Sequence, residues 1–377
     1  MPVATFAIQH RDPGCRARTG VLALNHGTIS TPCFMPVGTN ATVKAMRNRD
    51  LEDLGVNMIL GNTYHLYLRP GQEVIGRAGG LHGFMGWRHN ILTDSGGYQV
   101  FSLSSFRKVE EDGVAFRSHI DGSSHTLTPE GVIDIQTTFG SDVMMPLDEC
   151  TSPGIPRADA AQAVRRTTDW LRKSRERWRE RDAPFAGQLF GIMQGNFHQD
   201  LRKTSAEQIS DLDLPGYAIG GLSVGEEFPV FRDFLHYSAD LLPAAKPKYL
   251  MGIGTPQYIL EAVEAGIDLF DCVFPTRTAR NAQVFTNSGP LSLRNEKYRM
   301  DFQPIDENCR CETCRNHTRA YLRHLFKARE IEAAVLATFH NLAFIQDLVR
   351  SIREAVRQGD FARFKQGFLA RYAGGSE

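Results

Sequence analysis

The feature that most constrains this chain is a repeated alternation of short apolar runs with helical stretches. The runs are Cys33 to Val37, Met58 to Leu60, Ile91 to Thr93, Val143 to Leu147, Leu189 to Met193, Tyr217 to Ile219, Tyr249 to Met251 and Ile267 to Phe270. Helical patterns fall between most of them, among them Pro129 to Phe139, Ala158 to Arg181, His198 to Asp211, Phe228 to Leu242 and Pro256 to Ala265. Strands too short and apolar to face water, most of them followed by a helix, point to parallel pairing with crossover connections. Eight such units predict a closed α/β barrel of the (β/α)8, or TIM, type. An open doubly wound sheet is the competing architecture, because alternation alone does not report closure. The 377 residues suit one barrel of ~250 residues with additions.

The additions are legible as departures from short connections. Residues 1–30 carry apolar segments at Phe6 to Ile8 and Val21 to Leu24, which predict a hairpin lid at one end of the domain. Ser95 to Thr128 is too long for a simple connection and contains Asp121-Gly122, a two-residue hairpin turn signal. A second long interval runs from Asn281 to about Phe344, with a hairpin predicted at Ala282 to Phe285 and Leu291 to Leu293. A last helix is expected over Leu342 to Gln358, and the tail after Tyr372 is expected to fray.

Hydrophobic residues make up 42% and charged residues 23%, and Lys+Arg balance Asp+Glu. Any nucleic-acid contact must therefore rest on a local basic patch rather than on global charge. No apolar run approaches the ~20 residues of a membrane helix. The N-terminal stretch around Gln9, His10, Arg11 and Asp12 lacks a signal-peptide core, so a cytoplasmic location is expected. Seven cysteines in that setting argue against a disulfide framework.

Barrel chemistry lies at the C-terminal ends of the strands. The residues just beyond the predicted strands include Gly61-Asn62-Thr63, Asp94-Ser95-Gly96-Gly97, Asp148, Gln194-Gly195, Gly220-Gly221-Leu222, Gly252 after Met251, and Asp271. Three acids, an amide and repeated glycines thus converge on one rim. Two carboxylates can share glycosyl chemistry, one as nucleophile toward an anomeric carbon and one as proton donor to the leaving group. A third can accept hydrogen bonds from the donor edge of a base. The last strand ends on Asp271 and runs into Pro275, Arg277 and Arg280, a cationic loop suited to an anionic substrate.

Cys309, Cys311 and Cys314 form a close thiol set, and zinc takes four sulfur or nitrogen ligands. His317 and His340 are the candidates for the fourth. Four protein ligands leave no open position, which predicts a structural site. Arg294 through Arg329 holds nine Lys or Arg against five Asp or Glu, a modest basic patch.

With these pieces together the chain resembles the bacterial tRNA-guanine transglycosylases, also called queuine tRNA-ribosyltransferases, over nearly its whole length. The motifs are Gly61-Asn62-Thr63-Tyr64-His65-Leu66, Thr93-Asp94-Ser95-Gly96-Gly97-Tyr98-Gln99-Val100, Asp148-Glu149-Cys150, Gly191 to Gly195, Tyr217 to Glu226, Leu250-Met251-Gly252, and Phe270-Asp271-Cys272 with Pro275-Thr276-Arg277. The resemblance implies a barrel over 1–281 with its N-terminal lid, a zinc-binding subdomain over 282–341, and a C-terminal helix in 342–377 packing back on the barrel. It implies exchange of the wobble guanine in GUN anticodons (tRNAs for aspartate, asparagine, histidine and tyrosine) for 7-aminomethyl-7-deazaguanine, a step of queuosine biosynthesis. Asp271 would be the nucleophile, forming a covalent ribosyl intermediate, and Asp94 the general acid/base. Asp148 and Gln194, with the Gly221 and Leu222 backbone, would read the purine, and Tyr98 and Met251 would sandwich it. Arg277 and Arg280 would grip the RNA. Cys309, Cys311, Cys314 and His340 would hold one Zn2+, deciding against His317, and the enzyme would be a homodimer. Pro146-Leu147, Met193 and Thr278-Ala279 depart from the residues common in the family.

Two other classes compete with this reading. A non-catalytic RNA-binding subunit would lack the acids that Asp94 and Asp271 supply. A retaining glycoside hydrolase would carry aromatics along a sugar groove in place of a zinc appendage.

Overall fold

The computed structural model describes residues 5–103, 107–180 and 187–373. Eight parallel strands form one sheet: β1 (Cys33–Pro36), β2 (Met58–Asn62), β3 (Asn90–Asp94), β4 (Val143–Met144), β5 (Gln188–Met193), β6 (Gly216–Ile219), β7 (Lys248–Leu250) and β8 (Leu269–Cys272). Neighbours in sequence are neighbours in space from β2 through β8, and β8 pairs with β1. The ring is completed by the Val37–Leu60 bridge, where the Gly38 amide donates to the Leu60 carbonyl at 2.7 Å. Closure therefore decides for the barrel over the open sheet.

Alternation along each strand divides the core in two. Leu60, Leu92, Val143, Ile192, Ala218, Tyr249 and Leu269 fill the barrel interior. Ile59, Ile91, Met144, Leu189, Ile219, Leu250 and Phe270 pack outward beneath the helices. Each of the larger side chains contributes about 1.5–3 kcal/mol on burial, so a slip of one residue in any strand would exchange the two layers at prohibitive cost. The helices follow their local signals. Pro129–Phe139 starts on Thr128, whose hydroxyl accepts the Gly131 amide at 3.0 Å, has proline in its first turn, and stops at Gly140 with φ +71°.

The lid is larger than the expected hairpin. Thr5–Arg11, Arg18–Leu24 and Gly27–Thr31 form a three-stranded antiparallel sheet. Leu22 and Ile29 enter the interior cluster, and Arg18 Nε donates to the buried Asp268 carboxylate at 3.0 Å just before β8. The lid thus plugs the N-terminal end of the strands, opposite the acid-bearing rim.

Other elements differ in detail from expectation. β4 stops at Met144 rather than Leu147, because Pro146 has no amide to donate to a ladder. The eighth strand sits two residues later than predicted and carries Asp271 inside its register, opposite Met35. In the interval after β3, the helix Gly97–Leu103 is followed by strands Arg107–Glu110, Gly113–Arg117 and Ser124–Leu127. Asp121-Gly122 lies there in a longer loop, not a two-residue turn. The Ser118 carbonyl accepts the Gly122 amide at 2.9 Å and the Ser118 amide donates to Ser123. The helix expected to end at Arg181 runs over Arg157–Arg179, and Arg181 lies outside the described residues.

The hairpin Gln283–Val284 with Leu291–Ser292 and the helices Glu312–Asn316 and Arg319–Ala328 form their own apolar cluster around Val284, Leu322 and Leu325. The following helix begins at Ile331 rather than Leu342 and runs unbroken to Arg357. Its first half packs on that cluster through Ala333 and Ala337, and its second half on the barrel core through Ile345, Val349 and Ile352. A further helix, Phe361–Ala373, follows Gly359 (φ +68°). Its Phe364, Phe368 and Tyr372 stack along one face toward Phe344. Of the tail expected to fray, residues 374–377 lie outside the described residues.

Candidate active site

The alternation that fills the barrel also builds the site. Asn62, Asp94, Gln194, Met251 and Asp271 each lie two residues beyond an interior side chain, namely Leu60, Leu92, Ile192, Tyr249 and Leu269. They therefore point into the mouth as the next layer above the core. Asp148 lies on the irregular segment that follows β4.

Asp271 is buried, and both of its side-chain hydrogen bonds converge on one oxygen. The Tyr249 hydroxyl donates to Oδ1 at 2.5 Å and the Gly252 amide at 3.0 Å. Burial raises its pKa, opposed by those donors. Asp94 stands across the mouth on β3, and Asn62 Nδ2 approaches its Oδ2 at 3.4 Å. Its pKa is pushed up to about 7, first by burial and then by the charges of Asp148 and Asp271. Asp148 accepts from Gln194 Nε2 at 2.7 Å, and burial raises it to about 6. Three carboxyls in one mouth are thus all raised by burial, each with its own hydrogen-bond partners.

Gln194 is fixed at both ends, since its own amide donates to Ser205 Oγ at 3.1 Å. A side chain on Gly220 or Gly221 would strike the Gln194 amide at 2.6 or 2.7 Å, so this wall requires glycine. Leu222 is buried beside it. Glu226 caps the same loop, its carboxylate accepting the Ser223 and Val224 amides. Tyr98 is 53% exposed at the rim. A cleft of about 390 Å³ opens there between Tyr98, Cys150, Ser152 and Val224. Beyond β8, Arg277 is exposed on the helix Phe274–Arg280, while Arg280 is half-buried with Nη1 lacking a hydrogen-bond partner.

Away from the mouth, Cys309, Cys311, Cys314 and His340 bring their ligand atoms within 4.8 Å of one another. The three sulfurs stand 3.8, 3.5 and 3.3 Å from His340 Nδ1. Such separations suit four ligands gathered around one metal ion, the donor set zinc takes. His340 Nε2 donates to the Phe285 carbonyl at 2.7 Å, which leaves Nδ1 free to ligate. His317 is not part of the cluster; its ring stacks on Tyr321.

Sequence reasoning overlooked Tyr249 as a site residue. Its signal was present: a tyrosine at an inward-facing strand position must find a partner for its hydroxyl. Asn62 was seen at the strand end without its contact to Asp94.

A family model described as queuine tRNA-ribosyltransferase matches residues 12–374. The chain is 52% identical over 377 residues to a queuine tRNA-ribosyltransferase of Caldanaerobacter subterraneus subsp. tengcongensis, covering 100% of both chains. It is 51% identical over 367 residues to that of Treponema denticola, covering 97% of each. It is 52% identical over 370 residues to that of Pelotomaculum thermopropionicum, covering 98% of this chain and 99% of the relative.

Proposed function

The chain belongs to the queuine tRNA-ribosyltransferase family and is a tRNA-guanine transglycosylase, and from that premise we propose that it replaces the wobble guanine of GUN anticodons with 7-aminomethyl-7-deazaguanine. The observation that carries this reading is the gathering of Asp94, Asp148 and Asp271 at one mouth, each with its pKa raised by burial and each with different hydrogen-bond partners.

Asp271 is the nucleophile. With Tyr249 and Gly252 both on Oδ1, Oδ2 is the oxygen that attacks C1′ of the ribose. The C1′–N9 bond breaks, its electron pair passes to guanine N9, and Asp94 delivers a proton to the departing base. The incoming base gives its N9 proton to Asp94 and displaces Asp271 from C1′. Two displacements retain configuration at the anomeric carbon. No net input is needed, because one N-glycosidic bond replaces another of similar energy. An acid near neutrality is suited to giving and taking a proton in alternate halves of the cycle, and the position of Asp94 at about 7 supports that role.

Asp148, ionised above about 6, accepts the N1–H and the exocyclic amine of the purine as a paired charge-assisted contact. Gln194 and the Gly221 and Leu222 backbone meet the rest of that edge, with Tyr98 and Met251 on the ring faces. The target base must leave its stack, at a cost of a few kcal/mol, and Arg277 and Arg280 hold the RNA chain while it does. Cys309, Cys311, Cys314 and His340 would hold Zn2+, which would supply metal–ligand bonds that tie the 282–341 subdomain together. In keeping with the family, we take the enzyme to work in the cytoplasm as a homodimer. Among the described residues no helix is long and apolar enough to cross a membrane, and exposed Met300, Phe302 and Ile331 offer apolar surface for pairing.

The decisive test incubates protein, a GUN-anticodon tRNA and radiolabelled guanine. Incorporation into tRNA is expected, together with an RNA–protein band that resists detergent in the unmutated protein and vanishes in Asp271→Ala. Persistence of the band in that variant, or mass-spectrometric placement of ribose on Asp94, would overturn the assignment.

A further inference from the structure

Arg202 is the largest buried charge near the mouth that the reaction does not use. It lies in the first turn of the helix Gln199–Ser210, with no exposed surface. Among the described residues it forms no ion pair. Its guanidinium instead donates to three backbone carbonyls: Nε to Asn196 at 2.9 Å, Nη1 to Gly220 at 2.8 Å and Nη2 to Gly221 at 3.3 Å. Burial lowers its pKa to about 10, opposed in part by the nearby Cys150 and Glu226. A desolvated cation whose hydrogen bonds all go to carbonyls is a costly way to hold a loop, so the orientation of those carbonyls is what needs explaining.

Peptide planarity supplies the explanation. In a trans peptide the C=O and the following N–H point in opposite directions. With the Gly220 carbonyl on Arg202, the Gly221 amide faces away from it; with the Gly221 carbonyl on Arg202, so does the Leu222 amide. Two successive carbonyls can turn to one side because Gly221 adopts φ +66°, and the paired N–H groups on the other side form a small cradle for an acceptor. That segment lies against the Gln194 amide, which in turn holds Asp148. Asn196 extends the tie, donating from Nδ2 to Thr151 Oγ1 and the Ser152 carbonyl, each at 2.9 Å. One guanidinium and one amide therefore set the relative positions of the loops after β4, β5 and β6.

The geometry points to Arg202 as the positioning residue of the base pocket: by drawing the Gly220 and Gly221 carbonyls onto itself, it presents the Gly221 and Leu222 amides to the six-position acceptor of the purine. This inference rests on the proposed function. Lysine, with a compact ammonium, cannot satisfy three carbonyls in a fixed fork.

The test compares the unmutated enzyme with Arg202→Lys and Arg202→Met, after thermal unfolding has shown which are folded. KM for guanine, KM for tRNA and kcat are measured, with 6-thioguanine as a probe whose sulfur accepts hydrogen bonds more weakly. The KM for guanine should rise about tenfold or more, with that for tRNA unchanged. The preference for guanine over 6-thioguanine should shrink, less in Arg202→Lys than in Arg202→Met. A residue that merely stabilises the fold would lower kcat through a smaller active fraction and leave both KM values and the preference intact; that result overturns the inference. If neither variant folds, hydrogen exchange of segment 220–223 in the unmutated enzyme decides, with protection by guanine expected and its absence refuting. Failure of the unmutated enzyme to exchange guanine at all would instead remove the proposed function, and this inference with it.

Discussion

Replacing Asp94 by asparagine is expected to stabilise the protein while disabling it. Asp94 loses hydration at the mouth and faces the charges of Asp148 and Asp271, so its pKa rises from 3.8 to about 7. Three powers of ten in proton affinity correspond to about 4 kcal/mol. Residual solvent contact of this half-buried carboxyl reduces the working figure to roughly 2–4 kcal/mol. The folded protein holds the proton more tightly than the unfolded chain. This contribution is therefore fully present below pH 3.8, is lost as pH rises to about 7, and stays lost above that. Asparagine is nearly isosteric, offers Asn62 the same acceptor and cannot ionise. In thermal unfolding from pH 4 to pH 8, Asp94→Asn and the unmutated protein should differ little at pH 4. The variant should gain progressively to pH 7, reaching roughly 3–6 °C, and the gap should then level off. Turnover should fall ~10²–10⁴-fold, the usual contribution of proton transfer. A variant that is no more stable than the parent at pH 8, or a gap independent of pH, would refute the claim that this carboxyl is held under strain of charge and burial.

Asp148→Ala should weaken binding of 7-aminomethyl-7-deazaguanine by about tenfold to a hundredfold, read by calorimetry, since it removes a charge-assisted pair; an unchanged dissociation constant would remove Asp148 from base recognition. Cys311→Ala and His340→Ala should each lower the zinc content measured by emission spectroscopy and loosen the 282–341 region, because metal binding and local folding are coupled. His317→Ala should retain the metal, and the opposite pattern would exchange the two histidines.

Much of the architecture was written in local pattern. Strand and helix positions follow from apolar runs, caps and prolines, which act within a few residues, so the eight strands were readable and only their ends moved. The acids Asp94 and Asp271 were legible for the same reason: each continues the two-residue period of its strand past the last apolar interior side chain. The helix Phe361–Ala373 was also encoded, in the spacing of Phe361, Phe364, Phe368 and Tyr372, and was passed over. What tertiary structure alone decided depends on contacts between distant residues. Closure rests on Val37 meeting Leu60. The fourth thiol partner is His340 because the long helix carries it over the cysteines while His317 turns toward Tyr321. The partner of Asp271 is Tyr249 from the adjacent strand, and that of Asp148 is Gln194, 46 residues away. The raised proton affinities of the acids come from desolvation, joined at Asp94 by the charges of Asp148 and Asp271, and neither exists until the barrel closes and brings the strand ends to one mouth.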